Sequence, residues 1–284
     1  MKKFKIGTKI IGNGYPVFII AEIGINHGGN FKICKKMIKA AYQSGADAVK
    51  IQTVDETISY GENTTSYKIF KKKNLKDSDL KKLKDFSKKL GIIFFSTPGD
   101  IKSLKRLIKI QIPVIKISSG LANNYPLIRE ILKNKIPLII STGLSTAGEI
   151  DYLNKYIKNF KFNKIAIMKC TSQYPANPIN LDLNSISYLN QKFKLPVGYS
   201  DHSLGDTAPI VAVSKGALLI EKHFTLNKKA KGADHSISLE PDEFKQMVKK
   251  IRIAEKSFGK KIFILNKKIK KNRNLFLRYL TAIH

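Results

Sequence analysis

Cysteine is scarce in this sequence, which has only Cys34 and Cys170 among its 284 residues. Two cysteines cannot form the disulfide framework of a small secreted protein, and neither has the CxxC spacing of a structural zinc site. Long apolar runs are also missing, so no segment is predicted to span a membrane. The basic start, Met1–Lys5, is not followed by the apolar stretch and small-residue cleavage site of a secretory signal. We therefore predict a protein of the cytoplasm.

Acidic residues are few: 21 Asp and Glu stand against 52 Lys and Arg, which gives a formal net charge of +31. Such a balance raises the question of nucleic-acid binding. The lysines, however, are spread through nearly every predicted helix rather than gathered in one arm, and no known nucleic-acid module is present. A solvated, lysine-rich surface is the favoured interpretation. The same charge would help to attract an anionic substrate.

The sequence does contain a repeated unit, in which an apolar, β-branched run ends in small or polar residues and an amphipathic segment follows. The predicted strands are Val17–Gly24, Ala48–Thr53, Ile92–Pro98, Val114–Gly120, Leu138–Gly143, Lys164–Thr171, Leu195–His202 and Leu218–Thr225. The predicted helices are Phe31–Ser44, Ser78–Leu90, Ile101–Ile110, Tyr125–Lys133, Thr146–Asn159, Leu181–Gln191, Thr207–Lys215 and Asp242–Phe258. This alternation is typical of a parallel sheet covered by helices on both faces.

Eight such units predict an α/β protein, a closed (β/α)8 TIM barrel. A doubly wound sheet is the alternative, but Ile23–Gly29 lacks the GxGxxG pattern that such a sheet prefers after its first strand. Ahead of the barrel, Phe4–Tyr15 predict a short hairpin around the turn signal Gly12–Gly14. We divide the chain into a hairpin that caps the barrel (residues 1–16), the barrel itself (17–260) and a C-terminal extension (261–284).

Polar residues recur at the strand ends that would form the catalytic face of a barrel. They are Glu22, Lys50, Gln52, Ser96, Thr97, Lys116, Ser118, Ser119, Ser141, Thr142, Lys169, Thr171, Ser172, Ser200, His202, Glu221 and His223. A lysine inside an apolar strand is costly unless it is paired, and Lys50, Lys116 and Lys169 are in this position. Each alone is explained by a neighbouring carboxylate. Together, ammonium groups and hydroxyls that face one cavity indicate a phosphate or carboxylate site.

Two histidines occupy equivalent places in successive units. His202 ends the run that starts at Leu195, and His223 comes near the end of the next run. Two imidazoles at the same ends of neighbouring parallel strands would face one cavity, where they could bind a divalent metal and leave positions for water and substrate. Imidazole is not diagnostic of a metal, however, and each histidine can equally be a hydrogen-bonded structural residue.

Longer motifs make a resemblance specific. In order, the chain contains Ala21–His27, Lys50–Thr53, Ser96–Pro98, Lys116–Gly120, Asn124–Ile128, Ser141–Gly143, Cys170–Pro175, Ser200–His202, Glu221–Thr225 and Asp234–His235. This series strongly resembles the sialic acid synthase family, that is, N-acetylneuraminate synthase and its legionaminate and spore-coat relatives, over nearly the whole chain. The resemblance implies a barrel enzyme that condenses phosphoenolpyruvate with the aldehyde of an N-acylated hexosamine, such as N-acetylmannosamine or a diacetamido-hexose. It also implies a nine-carbon 2-keto sugar acid as product, release of phosphate, and a requirement for Mn²⁺ or Mg²⁺.

The same resemblance implies roles for individual residues. His202 and His223 would hold the metal, and Lys50 and Lys116 would bind phosphoenolpyruvate. Glu22 and Gln52 match positions near the reacting centre; Glu22 is a candidate for proton transfer, with a salt bridge to Lys50 as the alternative. The residues expected to bind the substrates are Thr97, Ser119, Ser141, Ser172, Tyr174, Ser200 and Asp234.

The chain departs from the family pattern in two places that touch the sugar. Leu121 stands where typical N-acetylneuraminate synthases have a Glu, and Ser172 stands where they have an Asn. Family members also continue into an antifreeze-like domain that reaches the partner's site in a dimer. Asn272–Ile283 resemble the lead-in to that domain, which we expect to be missing here, and a homodimer is one expected state. The alternative functions are an impaired lone barrel that acts as a binding partner, and another metal-dependent barrel aldolase.

Overall fold

The computed structural model describes residues 3–232, 234–259 and 265–278. Eight parallel strands close into a barrel, in which the last strand pairs with the first. These strands are β3 (Phe18–Gly24), β4 (Ala48–Thr53), β5 (Ile93–Pro98), β6 (Ile115–Ile117), β7 (Leu138–Ser141), β8 (Ile165–Cys170), β9 (Val197–Asp201) and β10 (Leu219–His223). Ahead of them, β1 (Phe4–Ile6) and β2 (Lys9–Ile11) form an antiparallel hairpin. The predicted fold is therefore confirmed.

Helices follow the strands around the outside of the barrel. They are α1 (Phe31–Gln43), α2 (Glu56–Ser59), α3 (Thr65–Phe70), α4 (Asp77–Leu90), α5 (Ile101–Lys109), α6 (Tyr125–Lys133), α7 (Ala147–Lys158), α8 (Ser185–Phe193), α9 (Thr207–Ser214), α10 (Pro241–Ser257) and α11 (Lys267–Phe276). Local signals set several of the helix starts. Asn30 caps α1 by accepting a hydrogen bond from the Ile33 amide, and Thr146 and Glu149 form a capping box at α7.

Several predicted elements extend beyond the observed ones, and three helices were missed. The strand expected over Val114–Gly120 ends at Ile117, because Ser119–Leu121 turn into a 3₁₀ helix. The helix expected over Leu181–Gln191 begins only at Ser185. α2 and α3 lie in the long connection after β4, and α11 lies in the C-terminal extension; none of the three was among the predicted helices. Residues 260–264 and 279–284 of the chain's end lie outside the described residues, so the proposed boundary at residue 260 stays a prediction.

The period of two along each strand decides which polar side chains reach the inside of the barrel. On β10, Glu221 and His223 line the cavity at the carboxyl ends of the strands, whereas Lys222 between them is fully buried on the outer face. On β8, Cys170 lines the cavity, so its neighbour Lys169 points to the other side. The expectation that Lys169 faces the cavity together with Lys50 and Lys116 was therefore wrong.

A buried ion pair ties β9 to β10 on the outer face of the barrel. Asp201 and Lys222 are opposite each other in register, and the Lys222 Nζ lies 2.6 Å from the Asp201 Oδ2. Both side chains are 0% exposed. The Tyr199 hydroxyl donates to Asp201 Oδ1 at 2.8 Å, and the Ser203 amide donates to the same atom at 3.0 Å. The pair therefore fixes the alignment of the two strands that carry His202 and His223.

Among the described residues, the helices are all too short or too polar to cross a lipid bilayer.

We expect Lys222→Met to lower the free energy of unfolding by about 3–5 kcal/mol, because it leaves the Asp201 carboxylate buried without its cation. Urea denaturation of the purified variant measures this. The matched control is Lys250→Met, which removes the half-exposed Lys250–Asp206 pair (2.7 Å) and should change the same quantity by at most about 1 kcal/mol. Equal losses in the two variants would contradict a special role for the buried pair.

Candidate active site

A cavity of about 640 Å³ opens at the carboxyl ends of the barrel strands. Every strand of the barrel contributes a side chain to it. The contributing residues are Glu22 (β3), Lys50 and Gln52 (β4), Thr97 (β5), Lys116 (β6), Ser141 (β7), Cys170 (β8), Ser200 (β9), and Glu221 and His223 (β10). Its size suits a small-molecule ligand. This is the face on which enzymes of this fold carry their active sites.

Four buried charges form the floor of the cavity, and we call them the charged floor: Glu22, Lys50, Lys116 and Glu221. The Lys50 Nζ lies 2.9 Å from Glu22 Oε2 and 3.8 Å from Glu221 Oε2. The Lys116 Nζ donates to both oxygens of Glu221, at 2.8 and 3.1 Å. All four side chains are buried. Two ammonium groups thus lie against two carboxyl groups, all of them shielded from solvent.

The two carboxylates of the charged floor have opposite pKa shifts. Burial, together with the nearby charge of Glu221, raises the pKa of Glu22 to about 7, despite the ammonium of Lys50. Burial acts in the same direction on Glu221, but Lys116 and Lys50 outweigh it and hold the pKa of Glu221 at about 2. Glu221 is therefore an anion at neutral pH, whereas Glu22 can gain or lose a proton there. Such a division between neighbouring carboxylates is typical of catalytic sites.

Hydroxyl groups surround the two lysines. The Thr97 Oγ1 accepts a hydrogen bond from Lys50 at 3.1 Å, and the Ser200 Oγ donates to Glu221 at 2.9 Å. The Ser119 Oγ accepts from the Gly143 amide at 3.0 Å. The buried Ser141 Oγ has no hydrogen-bond partner within the part of the chain that the structure describes. A buried hydroxyl without a partner is costly, so Ser141 offers a place for a polar ligand atom.

The imidazole rings of His202 and His223 are neighbours, with centroids 5.4 Å apart and ring planes tilted by 57°. The Thr171 carbonyl lies 2.8 Å from His202 Nδ1, so this nitrogen carries the proton and Nε2 is left as the ligand atom. The buried His223 Nδ1 makes no hydrogen bond to the described residues. Burial, then the nearby His202 and Lys50, lower the pKa of His223 well below its ordinary value. A neutral ring with a free nitrogen is the form that binds a metal.

The donor set fits a metal held by two protein ligands. Across residues 3–232, 234–259 and 265–278, no group of three or more His, Cys, Asp or Glu side chains is placed to hold an ion. An ion at His202 and His223 would therefore take its other ligands from water and substrate, as open catalytic sites do. The Asp234 Oδ2 lies 3.8 Å from His223 Nδ1, beyond hydrogen-bond distance.

The remaining predicted residues surround the imidazoles and Glu22. The Tyr174 ring stacks on His202 at 4.1 Å between centroids, and the Gln52 Nε2 donates to Glu22 at 3.4 Å. Ser172 lines the cavity, and Asp234 lies at its edge beside His223. The structure thus brings all thirteen predicted site residues to one end of the barrel. Their individual roles stay predictions.

Several cavity residues were missed as site residues. Glu221 was seen at its strand end but was not assigned to the site, although its place two residues before His223 puts it on the same face. Cys170 begins one of the motifs that carry the resemblance but was not assigned to the site, and its Sγ lies 3.8 Å from His202 Nδ1. Tyr60 and Phe70 belong to the connection after β4, whose sequence shows no periodic pattern that would have placed them there.

Known proteins resemble this chain in both sequence and fold. The model of the NeuB family matches residues 37–263. An uncharacterised protein of Methanocaldococcus jannaschii is 43% identical over 91% of this chain and 77% of its own length. The N,N'-diacetyllegionaminic acid synthase of Legionella pneumophila is 39% identical, over 89% of this chain and 76% of its own. The crystal structure of an N-acetylneuraminic acid synthetase from Leptospira borgpetersenii, in complex with citrate, superposes with a TM-score of 0.91 at 33% identity, over 96% of both chains. The named proteins that this chain resembles thus include synthases of sialic and legionaminic acids. Because the family model covers most of the barrel, the chain belongs to the NeuB family.

Proposed function

We propose that this protein condenses phosphoenolpyruvate with the open-chain aldehyde of an N-acylated hexosamine, giving a nine-carbon 2-keto sugar acid and phosphate. Membership of the NeuB family supports the reaction class. The observation that carries the proposal is the combination, within one cavity, of two buried ammonium groups, a ring of hydroxyls and two neighbouring imidazoles. These groups could bind both an anionic donor substrate and the carbonyl group of an acceptor substrate.

The charged floor would bind phosphoenolpyruvate. Its phosphate and carboxylate bring negative charge, for which Lys50 and Lys116 are the buried cations. The hydroxyls of Thr97, Ser119, Ser141 and Ser200 line the same cavity, and Ser141 has a free hydrogen-bonding atom. Fixed cations in a dry cavity stabilise developing negative charge more strongly than water does. The phosphate that leaves would meet the same groups.

The metal would be held by His202 and His223 and is expected to be Mn²⁺ or Mg²⁺. When bound, such an ion polarises a carbonyl oxygen as a Lewis acid. The protein's own contribution is to hold both rings in position: the Thr171 carbonyl orients His202, and the Asp201–Lys222 pair aligns the strands behind them. Tyr174 stacks on the His202 ring.

The reaction joins C3 of phosphoenolpyruvate to the aldehyde carbon of the sugar. Water adds at C2, the C–O bond to phosphate breaks, and the former aldehyde oxygen gains a proton. Glu22 is the group suited to move a proton, since its pKa of about 7 allows it to give or take one near neutrality. Gln52 holds the Glu22 Oε1, and Lys50 lies 2.9 Å from the other oxygen. Asp234, Tyr174 and Ser172 would contact the sugar at the cavity's edge.

The direct test is phosphate release from phosphoenolpyruvate by the purified protein with Mn²⁺, across a panel of N-acylated hexosamines. We expect release that depends on the sugar, and mass spectrometry should find a product whose mass is that of a nine-carbon keto acid. Removal of the metal with a chelator should reduce the rate of phosphate release, and re-addition of Mn²⁺ should restore it. If no sugar in the panel supports release, or if release gives pyruvate alone, the proposed reaction is wrong.

We expect Lys116→Ala to raise the KM for phosphoenolpyruvate by about ten- to a hundredfold, the loss of one charge-assisted contact, with a smaller effect on the KM of the sugar. Steady-state kinetics with each substrate varied in turn measures both. The matched control is Lys169→Ala, a lysine on a barrel strand that points away from the cavity. It should leave both constants near those of the native protein. Equal effects of the two substitutions would rule out a specific contact with Lys116.

A further inference from the structure

The helix α11 carries positive charge that no neighbouring carboxylate neutralises. Glu255 is the last acidic residue in the sequence, and the charged residues after it are all Lys or Arg. Five cations lie on α11 itself: Lys267, Lys268, Lys270, Lys271 and Arg273. Among the described residues, none of the five forms an ion pair, whereas exposed lysines elsewhere do, as Lys250 does with Asp206. The charge of α11 is therefore available to an external partner.

The sequence of α11 gives the helix two unlike sides. Asn266 caps its start by accepting a hydrogen bond from the Ile269 amide at 2.9 Å. Ile269 and Phe276 are seven residues apart, a spacing that puts both on the same side of a helix. Lys267 and Lys271 are four residues apart and fall on the opposite side. The helix is therefore amphipathic, with an apolar side and a cationic side.

The apolar side of α11 is exposed to solvent. Ile269 is 50% exposed and Phe276 is 76% exposed. Both line a groove whose described residues all belong to the segment 265–277, so none of the other described elements covers them. Lys268 and Arg273 line the same groove, one on each side of the apolar residues. An exposed apolar stripe with a polar rim is typical of an interaction surface.

We propose that α11 lies on the surface of a membrane that contains anionic phospholipids. Its apolar side enters the boundary between headgroups and acyl chains, and its cations contact the phosphates of the headgroups. Lys268 and Arg273 suit this arrangement, because long cationic side chains keep their methylene groups in the apolar layer while their charges reach the headgroups. This binding is separate from the proposed reaction, since no described residue of α11 lines the active-site cavity.

Two other partners match the helix less well. A nucleic acid would pair with the cations but would leave Ile269 and Phe276 in water. A second copy of this chain would bring a second set of unpaired cations, and the formal net charge of +31 on each copy opposes their contact. A phospholipid surface supplies negative charge and an apolar layer at the same place, which matches both sides of α11.

The first test is cosedimentation of the full chain with phospholipid vesicles. We expect binding to vesicles of phosphatidylcholine and phosphatidylglycerol in equal amounts, and binding at least about tenfold weaker to vesicles of phosphatidylcholine alone. Added salt should weaken the binding to the anionic vesicles, because it screens the contacts with the headgroups. Failure to bind the anionic vesicles, or equal binding to both kinds, would overturn the proposal.

Substitutions separate the role of α11 from that of the overall charge. Phe276→Ser removes an exposed aromatic ring from the apolar side and should weaken binding to the anionic vesicles by about tenfold. Lys268→Gln removes one cation and should weaken it by about fivefold. The matched controls are Leu204→Ser on the loop after β9, where Leu204 is 64% exposed, and Lys88→Gln on α4, and both should bind as the native protein does. Equal losses in the control and α11 variants would contradict the assignment to α11.

A fluorescent side chain tests whether the apolar side of α11 enters the membrane. The chain contains no tryptophan, so Phe276→Trp introduces a single indole in place of an exposed ring. On anionic vesicles we expect its emission to shift to shorter wavelength and to be quenched by lipids with brominated acyl chains. Leu204→Trp, the control, should show neither effect. If Phe276→Trp sediments with the vesicles while its emission stays that of an indole in water, the proposal is wrong.

Discussion

The carboxylate of Glu221 is the group that allows two lysines to be buried side by side. It accepts hydrogen bonds from Lys116 through both oxygens and lies 3.8 Å from Lys50. Without it, two ammonium groups would share a site with little water and one carboxylate, that of Glu22, and one of the two would lose its proton. The positive charges of the two lysines are therefore compensated within the folded protein, before any ligand binds. This is the condition for binding an anion to fixed charges rather than to groups that must rearrange.

Because side chains alternate between the two faces of a strand, one short stretch of chain holds both residues of the cavity and residues that stabilise the barrel. In β10, Glu221 and His223 face the cavity, whereas Lys222 faces outward and pairs with Asp201 of β9. The inner residues can thus be chosen for binding and the outer residue for alignment of the strands. Because β9 and β10 are neighbours, the buried outer pair also links the strand that His202 follows to the strand that ends at His223.

The fold and the strand residues that line the cavity could be predicted from the sequence, because both depend on the pattern of residues within each strand. Each strand was visible as an apolar run, and each polar residue at a strand end was visible as a break in that run. Lys169 shows the limit of this reasoning: a lysine in a strand is recognisable, but the side to which it points depends on the register of the whole strand. Tyr60 and Phe70 show a second limit, since they meet across a connection without periodicity.

The most direct measurement of the central claim is a crystal structure of the protein grown with phosphoenolpyruvate and Mn²⁺. We expect the anionic oxygens of phosphoenolpyruvate within hydrogen-bond distance of the Lys50 and Lys116 ammonium groups. An anomalous-scattering peak for manganese should lie between His202 and His223. Phosphoenolpyruvate bound away from the charged floor, or manganese bound elsewhere while both imidazoles stay unligated, would contradict the assignment of this cavity as the active site.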